Sequence, residues 1–204
     1  MSHARSPAKR LRSLWDAVAL TRPMLLIPVW TVHVLGAAHA SEAGSTAWAP
    51  EPRFIALSLA HTFLMAAAYV LNQLNDVETD AANRKLFLIA GGYVSRRFVK
   101  LEIAVLLGLS AAVLLASGGL SMHIVAVFAA SAALGAMYSA PPVRLKARPG
   151  FDVAANGIGY GCLAFAVGWL SVRPLTMLAV RASATFVLFF GAPFLFPTHP
   201  QRLR

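Results

Sequence analysis

Residues 54–76 read FIALSLAHTFLMAAAYVLNQLND. No charge interrupts the run from Phe54 to Asn75. A bilayer core takes about 20 apolar residues as α-helix, so this stretch predicts a transmembrane helix with a polar end. Five more apolar runs lie outward from it: about Trp15–Ala40, Ile103–Leu120, His123–Tyr138, Val153–Val172 and Leu175–Phe196. The last contains Arg181, which snorkels to the interface or lies before a late helix start. The predicted fold is an all-α, multi-pass transmembrane bundle of about six spans. It is read as a single membrane domain over residues 1–204, with a basic N-terminal segment over 1–14. No cleavable signal peptide is expected, because the apolar stretch after the basic start is too long.

Composition agrees. The 204 residues are 58% hydrophobic and 13% charged, with mean hydropathy +0.64. A soluble domain has roughly 45–50% apolar and about 25% charged residues. Disorder is excluded by the apolar content. The net charge of +10 suggests nucleic acid only if the basic residues share a soluble face. Here they lie between apolar runs, so the expected partner is the lipid bilayer and no nucleic acid. With the N-terminus inside, 14 of the 18 Lys and Arg residues fall on inner segments. Only Arg53 and Arg173 fall outside, and Arg22 and Arg181 lie within spans. That bias predicts a cytoplasmic N-terminus. The single cysteine, Cys162, excludes a disulfide framework and reads as a small packing residue.

The chemistry gathers at two places on the inner side. Asn72, Asp76 and Asp80 are spaced i, i+4, i+8, which on a continuous helix puts them on one face. Such hard oxygen donors beside an apolar span suit Mg2+ held by carboxylates and substrate phosphates. The plainer alternative is a solvated acidic helix end, which fits Glu78. After the fourth run comes Tyr138-Ser139-Ala-Pro141-Pro142-Val-Arg144-Leu-Lys146-Ala-Arg148. The prolines end the helix, and three cations follow at alternating positions. Acidic residues for Mg2+ and basic residues for phosphate, on one side of the membrane, make a diphosphate site. His33, His61 and His123 stand alone in sequence, with no second ligand at i+3 or i+4, and read as core or interface residues. Gly157, Gly159 and Gly161 read as a close-packing helix face.

These segments resemble the UbiA-type intramembrane prenyltransferases. Asn72-Gln-Leu-Asn-Asp76-Val-Glu-Thr-Asp80-Ala-Ala-Asn83-Arg84 resembles that family's N-x-x-x-D-x-x-x-D motif. Lys85-Leu-Phe-Leu-Ile-Ala-Gly91-Gly-Tyr-Val-Ser95 is similar to the loop after it. Tyr138 through Asp152 resembles the segment after the fourth helix, and Thr21-Arg22-Pro23 the first-helix Arg-Pro. The resemblance covers roughly Thr21 to Phe196, and looks closest to the branch acting on isoprenoid or carotenoid acceptors.

The resemblance implies a Mg2+-dependent transfer of a prenyl group from a polyprenyl diphosphate to a lipophilic acceptor, such as an aromatic quinone precursor or an isoprenoid. It implies that Asn72, Asp76 and Asp80 hold the metal-diphosphate. Arg84, Lys85, Arg144 and Lys146 would bind phosphate oxygens, and Arg22 would reach the same site or the acceptor. Tyr138 would face the allylic cation, and otherwise is an interfacial anchor. The family usually has nine spans and a second D-x-x-x-D motif after the sixth. No acidic residue follows Asp152, so the chain reads as a C-terminally truncated member. Asp152 with Asn156 is the one i, i+4 pair left to stand in, and a helix cap is its plainer role. Two other readings stay open: an inactive fragment or binding module of the fold, and a small transporter or channel.

Overall fold

The computed structural model describes residues 7–42, 48–78 and 88–191. Among them there is no strand. The helices are α1 (Pro7–Leu20), α2 (Pro23–Glu42), α3 (Pro52–Asn75), α4 (Arg96–Ala116), α5 (Met122–Ser139), α6 (Phe151–Val172) and α7 (Met177–Gly191). A 3-10 turn, Leu145–Ala147, stands between α5 and α6. Within α6, residues Gly157–Leu163 are π-helical. Five helices, α2 to α6, are long and apolar enough to cross a membrane. The chain is therefore a multi-pass membrane protein. The apolar α7 has 15 residues up to the end of the described chain, about 22 Å of rise.

The first predicted span, Trp15–Ala40, is two helices. Pro23 cannot continue the hydrogen-bond ladder, and it disfavours the helical region for the residue before it. Arg22 takes φ 50 instead. The Thr21 hydroxyl and N–H both bond back to the Val18 carbonyl, closing α1. α1 also takes up most of the predicted N-terminal segment 1–14. The third span is shifted toward the N-terminus, to Arg96–Ala116. Ser95 caps it by accepting from the Phe98 N–H at 3.2 Å, and Gly118 and Gly119 turn the chain after it with φ 69 and 83.

α3 is the hub, packing against α1, α2, α4, α5 and α6. Toward its start, Leu57, Ala60 and Leu64 join Ile124, Val127 and Phe128 of α5 and Val167 and Leu170 of α6. Toward its end, Ala66, Ala67 and Val70 pack with Leu20 of α1 and Val99 and Leu106 of α4. α2 and α6 share a third cluster through Val29, Val32, Phe165 and Trp169. Gly157 and Gly161 lie against α7, where an added Cβ would meet the backbone of Val187 and Phe186. The predicted packing role of these two glycines is met; Gly159 faces Leu134 instead. Cys162 is half-buried beside Ser183. α4 turns Leu101, Val105, Leu107, Leu109 and Leu115 outward, a face suited to lipid tails.

Candidate functional site

The helical face predicted for Asn72, Asp76 and Asp80 ends at Asn75. Asp76 leaves the helix at φ −101, ψ 7, and its N–H bonds the Asn72 and Gln73 carbonyls. This capping turn keeps Asp76 above Asn72, so the first two members still meet. Asp80, Arg84 and Lys85 lie outside the described residues. Gln73, buried, donates to the Leu20 carbonyl at 2.5 Å, tying the end of α3 to the end of α1.

The second predicted segment folds onto this turn. α5 ends at Ser139, whose hydroxyl donates to Asn72 Oδ1 at 2.9 Å. Arg144, at φ 41, begins the 3-10 turn and donates to Asp76 Oδ1 at 3.1 Å. Lys146 places its ammonium 2.5 Å from Asp76 Oδ2 and 2.6 Å from Asn72 Oδ1. The side chains of Lys146 and Asp76 are only 14% and 15% exposed, so water screens them little. Arg148, the third cation of the segment, is exposed.

Below this cluster lies a cavity of about 420 Å³. Arg22, Asn72, Tyr138 and Ser139 line it, with Tyr69, Asn156 and Tyr160 on its walls. Met65, Leu134, Leu163 and Ser131 line it deeper along their helices. The hydroxyls of Tyr69 and Tyr160 are 2.5 Å apart. Asn156 donates to the Tyr138 hydroxyl at 3.3 Å and to the Asp152 carbonyl at 2.8 Å. The Asp152 carboxylate accepts from the Val153 N–H at 2.8 Å. Asp152 thus serves the first turn of α6, and Asn156 faces the cavity.

Arg22 and Arg144 are the two non-glycine residues with positive φ among the described residues. Each left-handed residue costs about 1–2 kcal/mol, and both lie at this site. Strain of this kind clusters at ligand sites. The Arg22 Nε is also buried without a hydrogen-bond partner.

Asn72 Oδ1 and Asp76 Oδ2 converge on one cationic atom, the Lys146 ammonium. Two hard oxygens aimed at one positive charge are a donor set that fits Mg2+. Among the described residues no three His, Cys, Asp or Glu side chains gather to hold a metal. Asn72 and Asp76 therefore make a partial set, of the kind substrate phosphates complete.

Asn156 reaches the cavity wall as a partner of Tyr138; Tyr69 and Tyr160 carry no motif in the sequence, although a local signal for Tyr69 exists. Met65, Ala68, Tyr69 and Asn72 follow the spacing i, i+3, i+4, i+7. Ser131, Leu134, Gly135 and Tyr138 repeat it on α5. Extending each motif residue back along its own helix face finds the cavity wall.

The sequence pattern of the UbiA prenyltransferase family matches residues 25–203. No curated protein matches the chain. Among solved structures, a UbiA homologue from Archaeoglobus fulgidus bound to DMAPP and Mg2+ has TM-score 0.70 and 22% identity, over 86% of this chain and 61% of that one. The same homologue bound to GPP and Mg2+ has TM-score 0.70 and 23% identity, with the same coverage. A structure of digeranylgeranylglyceryl phosphate synthase has TM-score 0.73 and 17% identity, over 88% of this chain and 60% of that one. At these identities the likeness is one of fold. The chain spans about 60% of the length of the solved structures it matches.

Proposed function

The chain belongs to the UbiA prenyltransferase family, and from that premise we propose that it moves a prenyl group from a polyprenyl diphosphate to a lipophilic acceptor within the membrane, with Mg2+. One observation carries this reading. Asn72 and Asp76 converge with Arg144 and Lys146 at a cavity whose deeper lining is largely apolar. The A. fulgidus homologue binds Mg2+ together with DMAPP or GPP, which is the ligand pair such a site suits.

Asn72 and Asp76 would hold Mg2+, with Asp80 completing the motif. Bound there, the ion neutralises charge on the diphosphate leaving group. Arg144 and Lys146 turn their cations to the same place and bind phosphate oxygens, and Arg84 and Lys85 join them by the motif. As the allylic C–O bond breaks, these cations stabilise the negative charge that develops. Tyr138 offers its ring to the allylic cation. Met65, Leu134 and Leu163 hold the prenyl chain and exclude the water that would capture the cation. The free Arg22 Nε reaches toward the diphosphate or a polar group of the acceptor. The positive-inside bias puts the N-terminus and this site on the cytoplasmic side.

The test is diphosphate release from geranyl diphosphate by the purified protein in liposomes, with Mg2+ and a panel of quinone-precursor and isoprenoid acceptors. Release coupled to a prenylated product is expected. Absence of release with every acceptor sinks the reading.

A further inference from the structure

A second polar construction meets the same cavity from its deep end. His33 of α2, His61 of α3 and Ser131 of α5 form a buried chain. His33 Nε2 is 3.0 Å from His61 Nδ1, and His61 Nε2 is 3.1 Å from Ser131 Oγ. Both histidines are wholly buried, and Ser131 is 5% exposed. All three sit in the middle of their helices. Ionisable side chains at such depth are costly and mark functional sites by default.

The hydrogen bonds have a direction. Ser131 Oγ is 2.9 Å from the Val127 carbonyl, which only accepts, so the serine hydrogen is committed there. His61 Nε2 must then donate to Ser131. His61 Nδ1 is left as an acceptor and takes the His33 Nε2–H. His33 Nδ1, which has no partner, is then a bare lone pair. The opposite set of tautomers would leave a buried N–H unpaired there, which is rarer in folded proteins. Neither ring can slide away. Gly168 of α6 presses on the His33 backbone with no room for a Cβ, Trp30 packs against His33 with Phe54 behind it, and Phe128 packs against His61.

Ser131 therefore has one donor spent and one lone pair spent. Its second lone pair remains, and Ser131 lines the cavity. It lies about two turns deeper along α5 than Ser139, roughly 12 Å, beside Leu134 and Leu163. We propose that Ser131 is a hydrogen-bonding subsite for a hydroxyl group on a hydrocarbon body, a lipid alcohol or phenol, with His61 and His33 as positioning residues. This rests on the transferase reading only in identifying that molecule with the prenyl acceptor. The subsite selects against acceptors that lack the hydroxyl, because desolvating the Ser131 lone pair without a donor is unfavourable.

Binding tests it without turnover. The full chain in lipid nanodiscs is titrated with 4-nonylphenol and its methyl ether, and with farnesol and its methyl ether. At least one hydroxyl compound should bind about tenfold tighter than its ether. Ser131→Ala should erase that ratio by weakening the hydroxyl compound while leaving the affinity of its methyl ether unchanged. Should Ser131→Ala not fold, Ser131→Cys, with its weak sulfur acceptor, must show the same loss. His61→Gln, which keeps a donor toward Ser131, should restore most of the ratio relative to His61→Leu. No preference in the wild-type chain, or an unchanged preference in the Ser131 variants, overturns the proposal. A hydroxyl preference in protein that releases no diphosphate supports the subsite and defeats the transferase reading alone.

Discussion

The Lys146 ammonium stands 2.5 Å from the Asp76 carboxylate. It joins the turn after α3 to the turn after α5, two segments far apart in sequence. Each is an ordinary feature by itself, an acidic helix end and a basic loop. Together they form one paired, partly buried surface, two cations on one carboxylate, that can exchange its internal cation for a bound one.

Asp76 carries the only described carboxylate of that surface. Asp76→Asn should lower Mg2+-dependent diphosphate release at least about a hundredfold. It also leaves Arg144 and Lys146 without their counter-charge, so stability should fall by about 1–3 kcal/mol. Enzyme assay and thermal unfolding in the same detergent check both parts, and unchanged turnover refutes the assigned role.

Lys146 occupies the position where a divalent cation would enter. Lys146→Ala should raise KM for the prenyl diphosphate about tenfold, through loss of a phosphate-binding charge. The Mg2+ concentration for half-maximal activity should fall, because the competing ammonium is gone. A Mg2+ titration at saturating substrate separates the two effects. A higher Mg2+ requirement would contradict the exchange.

Sequence periodicity marked the apolar helices and both halves of the candidate site because each signal is local. Apolar runs, proline stops and the Asn72–Asp76 spacing all operate within a turn or two of chain. The misplaced boundaries have local causes too. Arg22-Pro23 splits the first run, and the capping turn at Asp76 interrupts the helix that an i, i+4, i+8 spacing assumes. What could not be read was pairing across helices. His33 and His61 have no ligand partner three or four residues away, yet they bond to each other through the packing of α2 on α3. The pairing of Tyr69 with Tyr160 likewise has no expression in one dimension.

The Tyr69–Tyr160 hydroxyl pair, 2.5 Å apart, joins α3 to α6 across the cavity wall. Tyr69→Phe and Tyr160→Phe should each destabilise by about 1 kcal/mol. The double variant should cost less than the sum, since either change breaks the same bond. Full additivity in thermal unfolding would show that the pair is not coupled.

Ser183 Oγ lies 3.9 Å from Cys162 Sγ, which places α7 directly on the π-helical part of α6. Ser183→Cys should form a disulfide with Cys162 under mild oxidation, read as a gel shift after cleavage between the two positions. Absence of the cross-link would argue against this packing of α7.

The charge bias makes an orientation test. In a Cys162→Ala background, Arg148→Cys should react with a membrane-impermeant thiol reagent only from the cytoplasmic face. Arg173→Cys should react only from the opposite face. The reverse pattern in right-side-out and inverted vesicles would invert the assigned topology.

The seven-residue π-helical stretch, Gly157–Leu163, gives α6 two obligations in different directions. Gly157 and Gly161 serve α7, while Gly159, Tyr160 and Leu163 serve the cavity. A wider turn holds an extra residue per circuit, so the girth of this wall is written in residue number more than in side-chain size. Removing one residue from the stretch would regularise the helix without breaking it. Because the wide turn had absorbed that residue, everything beyond would keep its phase, with Gly168 and Trp169 still against α2. A one-residue length change here reshapes the wall at Gly159, Tyr160 and Leu163 while the rest of α6 stays in register, a change in cavity shape that point substitutions do not reach.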